Sequence, residues 1–252
     1  MKQDQKEIWD RLWSHEVSYQ WDPLSQTILE SLTNSMGTVS GRSMFEAGSG
    51  TGKISLRLCQ LGADVTLADY SQIALDNSRA AFDQHLCKAN FLLTDIRSIP
   101  SENNSYDVVW NAGVLEHFTY EEKVQILKEM RRITKPDGMV IIFTPNAQCL
   151  PYRVGKHYAE QSGTWMYGVE EPVLSLQDEF QDSNITLLNE HSIGFINSLD
   201  FLDFVPNAGI LKTQLRIWYE QLDSVEQSWF PGYLLASIGR VTKSNKKLID
   251  VI

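Results

Sequence analysis

The stretch that decides the fold is MFEAGSGTGKISL, residues 44–56. It begins as a short apolar strand, continues into a turn with glycine at alternate positions (48, 50 and 52), and ends in a helical pattern. Because glycine has no Cβ, such a turn leaves its backbone N–H groups open to a ligand, next to the N-terminus of the following helix. The stretch therefore predicts a strand–turn–helix unit that binds a nucleotide-like ligand.

Two common nucleotide-binding patterns do not match this turn. A P-loop requires Ser or Thr after its Gly-Lys pair, but Ile54 follows Lys53, and Ala47 stands where the first glycine belongs. A dinucleotide-binding fold requires Gly-x-Gly-x-x-Gly, and here the third glycine comes one residue early. We therefore predict that Lys53 is a solvated residue of the first helical turn, and we keep an NAD-dependent reductase as an alternative enzyme class.

The pattern from Glu46 to Gly52 resembles motif I of the class I S-adenosylmethionine-dependent methyltransferases. The resemblance implies that Gly48, Ser49, Gly50 and Gly52 line the cofactor, and that Glu46 serves the positively charged methionine end of S-adenosyl-L-methionine. This ligand has no phosphate to neutralise, so an acidic residue beside the turn is favourable, whereas it would repel a pyrophosphate.

Two further predicted strands end in acids, in the order that the resemblance requires. The strand at residues 65–69 ends about twenty residues after the glycine turn begins, where a carboxylate can bind ribose hydroxyls. The resemblance implies that Asp69 binds both hydroxyls and that Tyr70 lies against the adenine. For the third strand, at residues 91–96, it implies that Asp95 accepts a hydrogen bond from the adenine amino group and that the backbone at Ile96 adds a second contact.

The fourth strand and its exit, residues 106–118, resemble motif IV of small-molecule methyltransferases. The resemblance implies that the backbone at Asn111 and Ala112 runs along the sulfur end of the cofactor, and that Glu116 and His117 face the point of methyl transfer. His117 is the predicted general base, because an imidazole with a pKa of about 6.5 suits base chemistry at neutral pH. The alternative is that His117 only packs against the N-terminal arm or the cofactor.

The order of these motifs predicts the fold class. Ser71 is expected to cap a helix over residues 72–83, and a later helix leads through Pro136-Asp137-Gly138 into a fifth strand. Residues 185–188 and 233–238 supply the last antiparallel pair. We expect an α/β fold with a Rossmann-like, doubly wound, seven-stranded sheet, mostly parallel with the last strand antiparallel, and helical cap inserts.

The segments outside the core strands are predicted to choose the substrate. Residues 1–40 form an N-terminal helical arm or lid, and residues 41–252 form the methyltransferase domain, with substrate-cap inserts at about 146–175 and 197–231. The candidates for binding substrate are Trp9, Trp13, Tyr19, Tyr152, Arg153, Trp165 and Tyr167.

Each group of these candidates has a structural alternative. Trp9 and Trp13, four residues apart, could form the buried stripe of a helix, and Arg153 could pair with Glu170 or Glu171 to fix its own loop. In the second insert, apolar residues at 211, 215, 218 and 222 predict a helix that caps the pocket or contacts a second copy of the chain.

Composition narrows the function classes. The net charge of −10 argues against a duplex nucleic acid as substrate, because such binding depends on basic contacts to phosphates. The three cysteines, Cys59, Cys87 and Cys149, are far apart in sequence and form no Cys-x-x-Cys pair, so neither a metal site nor a disulfide framework is predicted. We expect a cytoplasmic protein with no membrane partner, since the sequence contains no apolar run of about 18 residues and begins without an apolar leader segment.

These features predict an S-adenosylmethionine-dependent methyltransferase, similar to the type 11 and ubiquinone-biosynthesis-like subgroup. It would transfer a methyl group to oxygen or nitrogen of a small molecule by in-line displacement and release S-adenosyl-L-homocysteine. The spare aromatic residues predict a substrate with apolar or planar surface. The alternatives are a peptide or protein methyltransferase and a non-catalytic cofactor-binding module, and a homodimer is a further possibility.

Overall fold

The computed structural model of the protein describes residues 5–14 and 20–242. Tyr19, one of the predicted substrate contacts, lies outside the described residues. The strands are β1 Ser43–Ala47, β2 Asp64–Asp69, β3 Ala89–Leu93, β4 Tyr106–Ala112, β5 Thr134–Pro145, β6 Thr186–Ile193 and β7 Leu234–Arg240. The helices are α1 Gln5–Trp13, α2 Pro23–Met36, α3 Lys53–Gln60, α4 Gln72–Gln84, α5 Tyr120–Ile133, α6 Leu150–Gln161, α7 Gln177–Asp182, α8 Phe195–Ser198, α9 Gly209–Glu220 and α10 Ser224–Gln227.

The strands form one seven-stranded sheet in the order β3-β2-β1-β4-β5-β7-β6. Strand β7 is antiparallel to both of its neighbours, and the remaining pairs are parallel. The predicted fold class is confirmed. Strand order reverses between β1 and β4, which are direct neighbours, so the chain leaves the carboxyl ends of both strands beside one crevice. Open α/β sheets bind their ligands at such a switch point.

Helices cover both faces of the sheet and bury an apolar layer on each. On one face α2, α3 and α4 pack around the fully buried Trp110, and on the other face α5 and α7 pack around Phe45 and Phe180. Parallel strands buried on both faces have near-continuous apolar sequences, which explains the pattern of β1 and β2. This double burial holds the strand ends, and the turns that leave them, in fixed positions.

Three local predictions differ from the structure. The third strand ends at Leu93, so Asp95 and Ile96 lie in the following turn rather than on the strand. Helix α5 ends at Ile133, and Pro136-Asp137-Gly138 lies inside β5 as an irregularity, with Asp137 at a φ of 66°. A register shift in the β4–β5 pairing accommodates these extra residues, as in a β-bulge.

Lys53 pairs with Asp22, the N-cap residue of α2, so it is not simply solvated.

The helix in the second insert is present but does not bury its apolar stripe. Helix α9 ends at Glu220, before Leu222, and none of its residues is buried. Leu211 and Trp218 are 54% and 40% exposed, because the helix packs mainly along the short 3₁₀ segment Leu199–Phe204. The roles predicted for this helix, a cap over the pocket or a contact with a second copy of the chain, stay predictions. None of the helices described is both long and apolar enough to cross a membrane.

Two cysteines that are distant in sequence meet in the fold. Cys59, in α3, and Cys87, just before β3, are free thiols near each other, and Cys59 Sγ donates to the carbonyl of Lys88 at 3.5 Å. Burial, together with the neighbouring thiol, raises the pKa of Cys59 to about 11. A thiol with so high a pKa is a poor nucleophile at neutral pH.

Asp107 ties the start of β4 to its two neighbouring strands. Its Oδ2 accepts hydrogen bonds from the backbone N–H of Ser43 at 2.8 Å, from the Ser43 hydroxyl at 2.7 Å and from Lys135 Nζ at 3.0 Å. Burial alone would raise the pKa of Asp107, but these hydrogen bonds and the Lys135 charge outweigh it and lower that pKa. The carboxylate therefore contributes stability above the usual carboxyl range and loses it as the pH falls through its lowered pKa.

We predict that Asp107→Asn lowers the free energy of unfolding by about 1 kcal/mol at pH 7. The difference from the parent protein should vanish in acid, once Asp107 is itself protonated. Urea denaturation at a series of pH values measures this, with the exposed Asp83→Asn as the matched control. A deficit that stays constant into strong acid would show that the charge of Asp107 is irrelevant.

Candidate functional site

The glycine turn after β1 is a cradle without side chains. Gly48, Gly50 and Gly52 have φ values of +78°, +50° and +62°, which residues with a Cβ rarely adopt. A Cβ on Gly52 would lie 2.4 Å from Leu67, and one on Gly48 would lie 2.8 Å from Val114. The contact with Val114 is informative, because it shows that the exits of β1 and β4 pack directly against each other.

Asp69 holds this turn in place. Its Oδ2 accepts the N–H of Gly50 at 2.9 Å, and its Oδ1 accepts the N–H of Ser71 at 2.9 Å. The side chain is buried, and burial raises its pKa against the opposing effect of these backbone hydrogen bonds. A carboxylate can accept about four hydrogen bonds, so Asp69 keeps acceptor capacity for a ribose hydroxyl while it fixes the glycine turn. Tyr70 follows directly at the same strand end, with Lys6 Nζ 5.9 Å from its ring centroid.

Glu46 is a buried carboxyl with an unused oxygen. Glu46 is 6% exposed, and its Oε2 has no hydrogen-bond partner among the described residues. Burial raises its pKa to about 8, a hydrogen bond from Ser55 opposes the shift, and the nearby Asp69 adds to it. A cationic group that reached Glu46 would offset the cost of its burial in the charged form. The hydroxyl of Ser49, in the turn itself, is also buried without a partner.

The remaining predicted cofactor residues differ in burial and in their contacts. Asp95 is bound by Arg97, whose guanidinium approaches its Oδ2 to 2.7 Å, and this pairing lowers the pKa of Asp95. Ile96 belongs to the buried core. The Asn111 side chain is fully buried and contacts Met130, so only its backbone and that of Ala112 can face the crevice. The role of Asp95 toward adenine stays a prediction.

These residues fit S-adenosyl-L-methionine. The cradle that a Cβ would fill accepts a ligand against bare backbone, Asp69 suits a ribose, and the unpartnered Glu46 suits the cationic methionine end. The same buried acid disfavours a pyrophosphate.

Helix α1 lies across this crevice. The ring of Trp13 sits on Gly50, 2.9 Å from where a Cβ would stand, and its carbonyl accepts a hydrogen bond from Asn77 at 3.0 Å. Trp9 meets the ring of His117 edge-on, with centroids 5.3 Å apart. The two indoles stack on each other and are half-buried, whereas Ile8 is the buried residue of α1. The arm thus contacts both the glycine turn and the exit of β4, as a lid over both would.

Three ionisable side chains come together at the exit of β4: Glu116, His117 and Glu170. One potential ligand atom from each lies within 4.8 Å of the others, and His117 Nε2 is 3.8 Å from Glu116 Oε1. Within residues 5–14 and 20–242, no other group of three His, Cys, Asp or Glu side chains is this close. The sequence predicted no metal site, yet the three groups are close enough to share one cation. Sequence analysis placed Glu116 and His117 here but missed Glu170, because its segment returns from far along the chain.

The histidine of this cluster has a defined orientation. His117 Nδ1 lies 2.6 Å from the carbonyl oxygen of Val169, which can only accept a hydrogen bond, so Nδ1 carries the proton. Nε2 then holds a lone pair that faces Glu116. Burial lowers the pKa of His117, so the imidazole stays neutral at physiological pH. A neutral, oriented imidazole is suited to accept a proton.

The carboxyls of the cluster are both perturbed upward. Burial raises the pKa of Glu116 well above its usual range, and the nearby Glu170 raises it further. Burial also raises the pKa of Glu170, against a hydrogen bond from the Tyr152 hydroxyl and the charge of Lys156. Perturbed groups gathered in a crevice are typical of functional sites.

The predicted substrate residues of the first insert have separate places. Tyr152, in α6, is fully buried, and its hydroxyl donates a hydrogen bond to Glu170 Oε1. Trp165 and Tyr167 form an aromatic wall with ring centroids 5.1 Å apart, and Tyr167 also lies 6.3 Å from Trp9. Arg153 is exposed and donates to the carbonyl of Ala147 at 3.2 Å. The alternative that Arg153 pairs with Glu170 or Glu171 is therefore wrong for the described residues: Tyr152 donates to Glu170, and Arg153 forms no ion pair with either acid.

The chain is similar to known methyltransferases. The family described as "Methyltransferase domain" matches residues 45–142. The chain is 30% identical over 128 residues to a ubiquinone biosynthesis O-methyltransferase of Rickettsia conorii, covering 51% of this chain and 43% of the relative. It is 27% identical over 99 residues to N-terminal Xaa-Pro-Lys N-methyltransferase 1 of Danio rerio, covering 38% and 44%. The matched region spans about half the length of these relatives or less.

Solved structures show the same fold at lower sequence identity. A SAM-dependent methyltransferase from Aquifex aeolicus superposes with a TM-score of 0.60 at 14% identity, covering 96% of this chain and 100% of that one. The resemblance drawn from the motifs is confirmed, and so is the cofactor class of the family. Residues 45–142 match a methyltransferase domain, and the chain is similar in sequence to an O-methyltransferase and an N-methyltransferase and in fold to a SAM-dependent methyltransferase.

Proposed function

We propose that the protein transfers a methyl group from S-adenosyl-L-methionine to a small molecule with apolar or planar surface. The observation that supports this is the direct contact between two turns: Val114, at the exit of β4, packs on Gly48 of the cofactor cradle. Cofactor residues and the cluster around His117 therefore line one crevice. The aromatic residues Trp9, Trp165 and Tyr167 form the wall against which an apolar acceptor would lie.

When bound, S-adenosyl-L-methionine supplies a methyl group activated by its sulfonium. The chain would contribute position and proton transfer. Holding the acceptor atom in line with the C–S bond of the sulfonium supplies a large part of the rate enhancement in such reactions. His117 Nε2 would accept the acceptor's proton, because its Nδ1 is fixed to Val169 and its lone pair faces the cluster. Trp9 covers the imidazole and would exclude water from the reacting groups.

The first experiment is calorimetric titration of the protein with S-adenosylhomocysteine and, in parallel, with NAD. We expect stoichiometric binding of S-adenosylhomocysteine alone, because Glu46 disfavours a pyrophosphate. Binding of NAD in its place would support a reductase and overturn the proposal. Mass spectrometry of acceptors incubated with S-adenosyl-L-methionine then tests turnover and separates an enzyme from a non-catalytic binding module. A peptide acceptor belongs in the panel because one relative is named as an N-terminal N-methyltransferase. The cytoplasmic location and the homodimer stay predictions.

We predict that Asp69→Ala weakens S-adenosylhomocysteine binding by at least about tenfold. The substitution removes two potential hydrogen bonds to ribose and also releases the N–H of Gly50 from its carboxylate partner. Calorimetry measures the affinity, and Asp76→Ala, on α4, serves as the control. Unchanged affinity would mean that the ribose binds elsewhere.

We predict that His117→Ala leaves the S-adenosylhomocysteine affinity within about twofold but lowers kcat about a hundredfold or more. The imidazole would act on the acceptor rather than on the cofactor. Single-turnover methyl transfer measures the chemical step. Equal losses in binding and in rate would instead assign His117 a packing role against α1 or the cofactor.

A further inference from the structure

One oxygen of the Glu116 carboxyl is buried without a hydrogen-bond partner among the described residues. The residue is 2% exposed, and Oε2 makes no hydrogen bond to any described residue. Its Oε1 lies 3.5 Å from the position of a Cβ on Gly113, so the carboxyl is next to the backbone at the exit of β4. A buried polar atom without a partner costs free energy that a bound ligand would recover. The orphaned oxygen therefore points to a ligand group that donates a hydrogen bond.

The carboxyls around Glu116 outnumber the cations, and a bound cation would offset the cost of burying Glu116 in its charged form. Glu116 and Glu170 are both buried, and Lys156, whose side chain is 7% exposed, is the cation on the Glu170 side. Glu160, the ion-pair partner of Lys156, is 47% exposed at its side chain and is therefore screened by water. On the other side, Lys123 lies 3.9 Å from Glu179, a carboxyl of its own.

The surroundings suit an organic ammonium. Aromatic faces attract ammonium groups, and Trp165 already holds the Lys156 ammonium 4.8 Å from its ring centroid. Trp9 and Tyr167 extend this wall to the edge of His117.

A divalent metal ion fits these surroundings less well. A bound metal would place neighbouring ligand atoms about 3.0–3.4 Å apart, whereas acceptors around an ammonium stand about 4.6 Å apart. The cluster spans up to 4.8 Å, with one pair at 3.8 Å. The nearby Lys156 also favours a monovalent over a divalent cation, because its positive charge repels a second cation in proportion to that cation's charge.

We infer that the methyl acceptor is an amine on an apolar or planar body, bound as its ammonium by Glu116 and Glu170 beside the aromatic wall. This inference rests on the proposed function and narrows its substrate class. Glu116 and Glu170 are substrate-binding residues, and His117 is the base.

The step balances with these groups alone. The ammonium gives one proton to His117 Nε2, and the freed nitrogen lone pair forms the new N–C bond. The C–S bond of the sulfonium breaks, and its electron pair stays on sulfur. The product is a methylated ammonium with S-adenosylhomocysteine, and the proton on His117 passes to water. Glu116 Oε1, 3.8 Å from Nε2, stabilises the imidazolium in between.

The test compares matched amine and alcohol ligands on the protein saturated with S-adenosylhomocysteine. The pairs are 2-phenylethylamine with 2-phenylethanol, and tryptamine with tryptophol, and a short peptide with a free N-terminus distinguishes a peptide amine from a small one. We expect each small amine to bind at least about tenfold more tightly than its alcohol. In Glu116→Gln this preference should shrink to about twofold, while S-adenosylhomocysteine binding is retained. Glu171→Gln, at the exposed neighbouring acid, is the control and should keep the preference.

Several results would overturn the inference. An ammonium site is excluded if the alcohols bind as tightly as the amines or more tightly. It is also excluded if neither the amines nor the alcohols bind. A preference that survives in both Glu116→Gln and Glu170→Gln removes these carboxyls from recognition. Binding of catechol that requires Mg²⁺ or Mn²⁺ and is abolished by EDTA would identify a metal site instead. Failure of S-adenosylhomocysteine itself to bind would overturn the proposed function, whereas methylation of hydroxyl acceptors alone would retain that function and exclude only the amine.

Discussion

The fastening of the glycine turn to the end of β2 is the constraint on which the rest of the site depends. The carbonyl of Ala68 accepts the N–H groups of Gly48 and Ser49, and the Asp69 carboxylate accepts that of Gly50. Three successive backbone donors are thus held by two residues of the neighbouring strand. Glycine at 48, 50 and 52 lets the turn adopt the left-handed conformations that these positions show. Once the turn is fixed, the N-terminus of α3, the cradle and the contact with Val114 follow.

The crevice is built from buried carboxyls rather than from buried cations. Glu46, Asp69 and Glu116 line it in sequence order, and burial raises the pKa of each. Such groups are costly in the folded protein unless something positive reaches them. This arrangement suits a cationic cofactor on one side and, in our inference, a cationic acceptor on the other. A site of this kind gives up some stability for recognition.

Covering segments close the crevice from two directions. Helix α1 arrives from the N-terminus and places indole rings on Gly50 and His117. The segment after α6 arrives from the other side, where the N–H of Glu171 donates to the carbonyl of Glu116 at 2.9 Å. Because the arm contacts both the glycine turn and His117, its movement would affect both. Leu211 and Trp218 of α9 remain exposed.

The sequence alone determined the sheet and the cofactor class, and it predicted which residues would line the cofactor. These features depend on contiguous motifs, in which a strand, its turn and the residue at its end are neighbours in the chain, so their geometry follows from local conformation. The tertiary structure decided what each charged group faces. Asp95 turned out to face Arg97, and Glu170 to face Tyr152 rather than Arg153. It also brought Glu170 beside Glu116 across more than fifty residues of sequence, and only that approach, with its burial, left an oxygen of Glu116 without a partner. Burial and long-range packing set which charges are compensated, and no local pattern records them.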